Sequence, residues 1–160
     1  MYKTAVSKKD QKKNLDPTIE NRQARFKFQV FETFEAGMVL KGTEVKSIRE
    51  SAISLQEGYV HVLRGELLLE GCHITPYKQH STHTTAEAVR SIRLLMHKRE
   101  INKLETEMKL KKLTAVPLKL YFKKGYAKIL IGLARGKNAV DKRQDIKKKD
   151  IEKSLRRHNR

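Results

Sequence analysis

The sequence has almost no means of cross-linking itself. Cys72 is its only cysteine, so an intramolecular disulfide is excluded and a reducing, cytoplasmic setting is expected. Long apolar runs are missing too. A stretch such as Ile129-Leu130-Ile131 is far short of the ~20 residues that span a bilayer, so no membrane role is expected. The opening "MYKTAVSKKDQKKN" is charged and lacks the apolar segment of a secretory signal.

Catalytic signatures are equally scarce. There is no Gly-rich phosphate loop, no G-x-S-x-G and no H-E-x-x-H. Cys72, His73, His80 and His83 form the one metal-like grouping. It lacks the separated C-x2-C pair of a structural zinc site, and adjacent residues of a strand point to opposite faces. These four read as a core thiol and loop histidines. Glu35, beside Gly37, is read as a surface or RNA-contact residue rather than a general base. Neither an enzyme nor a cofactor is expected.

What the chain has is positive charge. It carries 36 Lys+Arg against 18 Asp+Glu, a net +18. Such a field selects polyanionic partners. The excess is spread along the chain: +3 over residues 1–22 (6 basic, 3 acidic), +8 over 23–134 (19 and 11) and +7 over 135–160 (11 and 4). A neutral domain with a basic tail is therefore the wrong picture.

Residues 1–22 are polar, Lys-rich and broken by Pro17, and read as a flexible basic arm. Phe26, Phe28 and Val30 alternate with polar residues, the period of a half-buried strand, with Met38-Val39-Leu40 resuming it after Gly37. "GTEVKSIRES" predicts a short helix with Thr43 as N-cap. "YVHVLR" and "ELLLEGCHI" predict a hairpin around Arg64-Gly65, and "LTAVPLKLYF" and "YAKILIGLAR" a second around Lys123-Lys124-Gly125. Pro117 implies an edge or a bulge in its strand. "RSIRLLMH" is compatible with helix or strand, whereas "KREINKLETEMKLKK" places Ile101, Leu104 and Met108 on one helical face. Five or six strands at hairpin spacing and two helices predict a mainly β fold: a small closed barrel of the oligonucleotide-binding type over residues 23–135. Basic patches interleaved with aromatics then favour RNA as the polyanion.

Several linked segments carry a family resemblance: "NRQARFKFQVFETFEAGMVLKGTEVKSIRESAISLQEGYV", "GCHITPY", "RLLMHKREINKL", "VPLKLYFKKGYAKILIGLARGK" and "DKRQDIK". In these, from about Asn21 to the end, the chain resembles the SmpB (SsrA-binding protein) family. The resemblance implies an oligonucleotide-binding-like barrel with accessory helices and a tail disordered in free solution. It also implies a partner, the tRNA-like domain of tmRNA (SsrA RNA). With elongation factor Tu, that RNA is delivered to ribosomes stalled on mRNA without a stop codon, the protein standing in for an anticodon arm. The tmRNA face then maps to Asn21, Ala24, Arg25, Glu35, Leu95 and Lys128.

Residues 136–160 form the tail of this reading. Contacts at the ribosomal decoding centre and mRNA channel are implied for Lys137, Asp141, Lys142, Arg143, Lys147, Lys148, Lys149, Ile151 and Leu155. Ile151 and Leu155 lie at i, i+4 among lysines, a latent helix that needs neutralising phosphates to form. Two positions depart from the family pattern, Asn138 for a second lysine and Val140 for a ring. A general ribosomal or RNA-chaperone barrel protein shares the composition and is the alternative reading.

Overall fold

The computed structural model describes residues 16–77, 89–138 and, in the tail, Arg143, Ile146, Lys147, Asp150, Ile151, Ser154 and Leu155. A short strand β1 (Ile19–Glu20) leads into helix α1 (Arg22–Lys27) and the long strand β2 (Phe28–Met38). Helix α2 (Gly42–Arg49) and β3 (Ile53–Ser54) precede the hairpin of β4 (Tyr59–Leu63) and β5 (Glu66–Glu70). After β6 (His73–Ile74) come β7 (Ile92–Leu95), helix α3 (Lys98–Lys111), and the second hairpin of β8 (Thr114–Lys123) and β9 (Tyr126–Gly136).

The strands β8, β4, β5, β7, β2 and β9 are hydrogen-bonded in that order, and β8 pairs with β9, so six strands form a closed antiparallel ring. This is the predicted barrel. Both hairpins turn as their sequences require: Arg64-Gly65 and Lys124-Gly125 take positive φ (52° and 77°, 52° and 80°), the twist a two-residue connection needs. β1 extends the ring's outside by pairing with β8, Ile19 opposite Leu120. β3 and β6 make a separate two-stranded ribbon.

Alternation along each strand sends one set of side chains inward. Phe34, Ala36, Val60, Leu67, Leu69, Ile92, Leu94, Leu120, Ile129 and Ile131 fill the barrel, joined by Ile48 of α2 and by Ile101 and Leu104 of α3. Burial of each such aliphatic side chain contributes about 1.5–3 kcal/mol. A second, smaller apolar cluster lies outside the ring, where Ala24 of α1 packs on Val116, Leu118 and Ala134. Gly132 makes room for it, because a Cβ there would meet Leu118 Cδ1 at 2.7 Å. The ladder shifts register between Pro117 and Lys119, the bulge that Pro117 implied. Beyond it the outer surface changes from the apolar seat of α1 to a polar face.

Three expectations about local structure are corrected. The period-two reading of Phe26–Val30 as strand fails at its start, since Phe26 and Lys27 close α1 and the strand begins at Phe28. The cause is Asn21, whose Oδ1 accepts from the Ala24 backbone N–H at 3.0 Å and so starts a helix. β2 then runs unbroken through Gly37 to Met38, rather than pausing and resuming. In α2 the N-cap is Lys41, not Thr43. Glu44 accepts from the Lys41 backbone N–H at 2.7 Å, which satisfies one open donor of that first turn. The domain boundary expected after residue 22 falls at the first residue of α1.

Candidate nucleic-acid interface

The outer side of β7, β2, β9 and β8 carries three of the predicted site residues. Cross-strand register sets Leu95 opposite Gly37, Gly37 opposite Lys128, and Lys128 opposite Tyr121. Glu35 stands two residues before Gly37 and points to the same side. Leu95 is 53% exposed, an apolar surface beside this row.

Glu35 is the centre of the patch. Its Oε1 lies 3.7 Å from Lys128 Nζ, its Oε2 lies 3.6 Å from Lys123 Nζ, and the Tyr121 hydroxyl donates to Oε2. That hydroxyl bond, with the two lysines, holds the Glu35 carboxyl below the usual carboxylate range although desolvation opposes it. The same bond pushes the Tyr121 phenol up to about 12. Lys119 lies with its Nζ 6.0 Å from the Tyr121 ring centroid and 3.8 Å from Glu20. The face thus offers three ammonium groups for phosphate, one ionised acceptor for a ribose hydroxyl or base amino group, and one apolar surface. The segment "LYFKKGYAK" stands out as basic and aromatic, but Tyr121 itself is not singled out by it, since its partner lies 86 residues away.

Asn21 and Ala24 belong to a different environment. Asn21 is buried, with its amide donating to Leu55 O at 2.7 Å and Pro117 O at 3.0 Å while its Oδ1 caps α1. Its backbone N–H reaches Leu118 O at 2.8 Å. Ala24 is buried beneath α1, and only Arg25 of this group is exposed. Asn21 and Ala24 therefore fix α1 on β8, and Arg25 projects from it.

The tail leaves the barrel under restraint. The Lys137 backbone N–H donates to Lys27 O at 2.9 Å and its Nζ to Arg25 O at 3.2 Å. Among the described tail residues, Arg143, Lys147, Ile151 and Leu155 are helical and exposed. Asp141, Lys142, Lys148 and Lys149 lie outside the described residues, as do Val140, His80 and His83. Cys72 is buried, which pushes its thiol up to about 12, and His73 beside it is exposed.

A second charged contact supports the barrel. Arg90 grips Glu44 with two bonds of 2.6 Å, joining the start of α2 to the approach to β7. Burial alone would raise the Glu44 carboxyl, but the bonds from Arg90 and from the Lys41 backbone N–H outweigh it and hold it below the usual range.

Comparison with known proteins agrees with this geometry. A family model described as SmpB protein matches residues 18–160. The SsrA-binding protein of Enterococcus hirae is 48% identical over 138 residues, 86% of this chain and 89% of the relative. That of Microcystis aeruginosa is 49% identical over 138 residues, with coverages of 86% and 90%. The Lactobacillus delbrueckii protein is 45% identical over 152 residues, with coverages of 95% and 99%. Among solved structures, a chain described under "tmRNA-SmpB: a journey to the center of the bacterial ribosome" matches with a TM-score of 0.64 and 45% identity. The match covers 77% of this chain and 86% of that one.

Proposed function

The chain belongs to the SmpB protein family, and from that premise we propose that it binds the tRNA-like domain of tmRNA and brings it to stalled ribosomes for trans-translation. The observation that carries the reading is the Glu35 patch. A carboxylate fixed among Lys123, Lys128 and Lys119, next to exposed Leu95, suits a folded RNA better than a bare phosphate track. The protein acts as a binding partner and does no chemistry of its own. Elongation factor Tu joins through the charged tmRNA, and the work is done in the cytoplasm, where ribosomes are. Among the described residues, no helix is long and apolar enough to cross a membrane.

The barrel and the tail divide the labour. The barrel face, with Arg25 at its α1 border, holds tmRNA. The tail enters the decoding centre and the empty mRNA channel, where rRNA phosphates offset the repulsion among its lysines. Asp141, Lys142, Arg143, Lys147, Lys148, Lys149, Ile151 and Leu155 are the tail residues assigned to this contact.

A gel-shift competition at one stated salt concentration tests the first half. Labelled tRNA-like domain is challenged with total tRNA and an unrelated structured RNA. Resistance to both supports the reading; equal competition by all three makes the chain a general RNA binder, since counterion release is blind to sequence. Removing residues 137–160 tests the second half. Tagging of a nonstop reporter is lost while affinity for the tRNA-like domain is kept; a matching loss of affinity overturns the division.

A further inference from the structure

We propose that Tyr121 is a positioning residue for RNA recognition, its hydroxyl fixing the Glu35 carboxylate so that one oxygen faces the RNA as an oriented acceptor. The proposal rests on the tmRNA-binding reading and deepens it. Tyr121 and Glu35 stand on β8 and β2 with β9 between them. Their side chains therefore reach across β9, where Lys128 and Leu130 stand opposite them, to meet.

The two carboxylate oxygens are not equivalent. Oε2 receives the Tyr121 hydroxyl and has Lys123 at 3.6 Å. Oε1 faces Lys128 at 3.7 Å, a distance that pairs charge without a hydrogen bond. Oε1 therefore keeps lone pairs for a ligand. Without the hydroxyl, Glu35 would swing between its ammonium neighbours, and binding would then have to order it. The Tyr121 ring is itself steadied by Lys119, which also pairs with Glu20 of β1.

This arrangement separates attraction from selection. Lys119, Lys123 and Lys128 draw in any phosphate backbone. A fixed negative oxygen among them repels phosphate and accepts only from donors, the 2′-hydroxyl or a base amino group. Tyr121 thus acts on which RNA is held and where, rather than on how strongly RNA in general is drawn.

Three variants, Tyr121→Phe, Glu35→Gln and the double substitution, test this in the full-length chain. The phenylalanine keeps the ring beside Lys119 and removes only the hydroxyl. Tyr121→Phe lowers affinity for the tRNA-like domain of tmRNA about tenfold, from the loss of one oriented charge-assisted bond. It leaves affinity for bulk tRNA and the salt slope unchanged. The double variant is no weaker than Glu35→Gln alone. Unchanged affinity in Tyr121→Phe, or losses that multiply in the double variant, overturns the proposal. Carboxyl-carbon NMR of the free protein gives an RNA-independent readout: the Glu35 titration moves up toward the ordinary range in Tyr121→Phe, and a titration that stays put overturns it as well. A wild type that holds the tRNA-like domain no better than bulk tRNA defeats the functional reading instead. The Tyr121 assignment is then decided by the Glu35 titration.

Discussion

Asn21 and Glu35 are both polar, both predicted to meet RNA, and treated by the fold in opposite ways. Asn21 is buried and spends its side-chain amide on Leu55 O, Pro117 O and the first turn of α1. Glu35 is exposed, touched by Tyr121 and two lysines, and retains an oxygen for a ligand. A residue can thus be essential to an interface by building its border or by reaching across it. Substitution separates the two, because the first kind moves stability and the second moves affinity.

The sharpest break of this comparison is Asn21→Ala. It removes the bonds to Leu55 O and Pro117 O, the former keeping the Gly58 N–H, and uncaps the Ala24 N–H; the expected cost is about 2 kcal/mol of stability. Urea denaturation reads that loss; RNA affinity per folded molecule changes much less. Unchanged stability would move Asn21 to the side of Glu35.

Glu44→Gln comes next, as a charge held for the fold alone. The variant should lose about 2 kcal/mol at neutral pH, where Arg90 loses its ionised partner. The folded Glu44 carboxyl sits below its unfolded value, so its contribution is present above the unfolded value and fades as pH falls through the folded one. Melting curves of wild type and variant should therefore converge in acid and separate above about pH 5. A constant gap across that window would show that the charge is not what matters.

Lys128→Ala is the gentlest test and falls wholly on the site. Affinity should drop about threefold near physiological salt, and the slope of log affinity against log salt should shrink by about 1 if one phosphate contact is lost. Stability should hold within about 0.5 kcal/mol. An unchanged slope would mean that Lys128 serves Glu35 and not the backbone of the RNA.

The same contrast explains what the sequence made legible. Local chemistry wrote the hairpins, since Gly65 and Gly125 between alternating strands readily take the positive φ that a two-residue turn needs. It also wrote α3, through Ile101 and Leu104 at helical spacing. Glu35, Leu95 and Lys128 were found through the family resemblance, and register places them on one face. What escaped depended on distant partners. The two carbonyls that hold Asn21 come from 34 and 96 residues away, and without them a period-two run at Phe26 reads as strand. The cap of α2 was a local miss instead: the satisfying oxygen belongs to Glu44, three residues after Lys41 and inside the helix.

The closed ring also has a consequence in time. β2, the first long strand, pairs along most of its length with β9, the last, Phe28 opposite Gly136 and Gly37 opposite Lys128. Contacts so far apart in the chain form slowly, and the seam cannot be completed until residue 136 has been synthesised. A ribosome making this protein must therefore translate as far as residue 136 before the barrel can close.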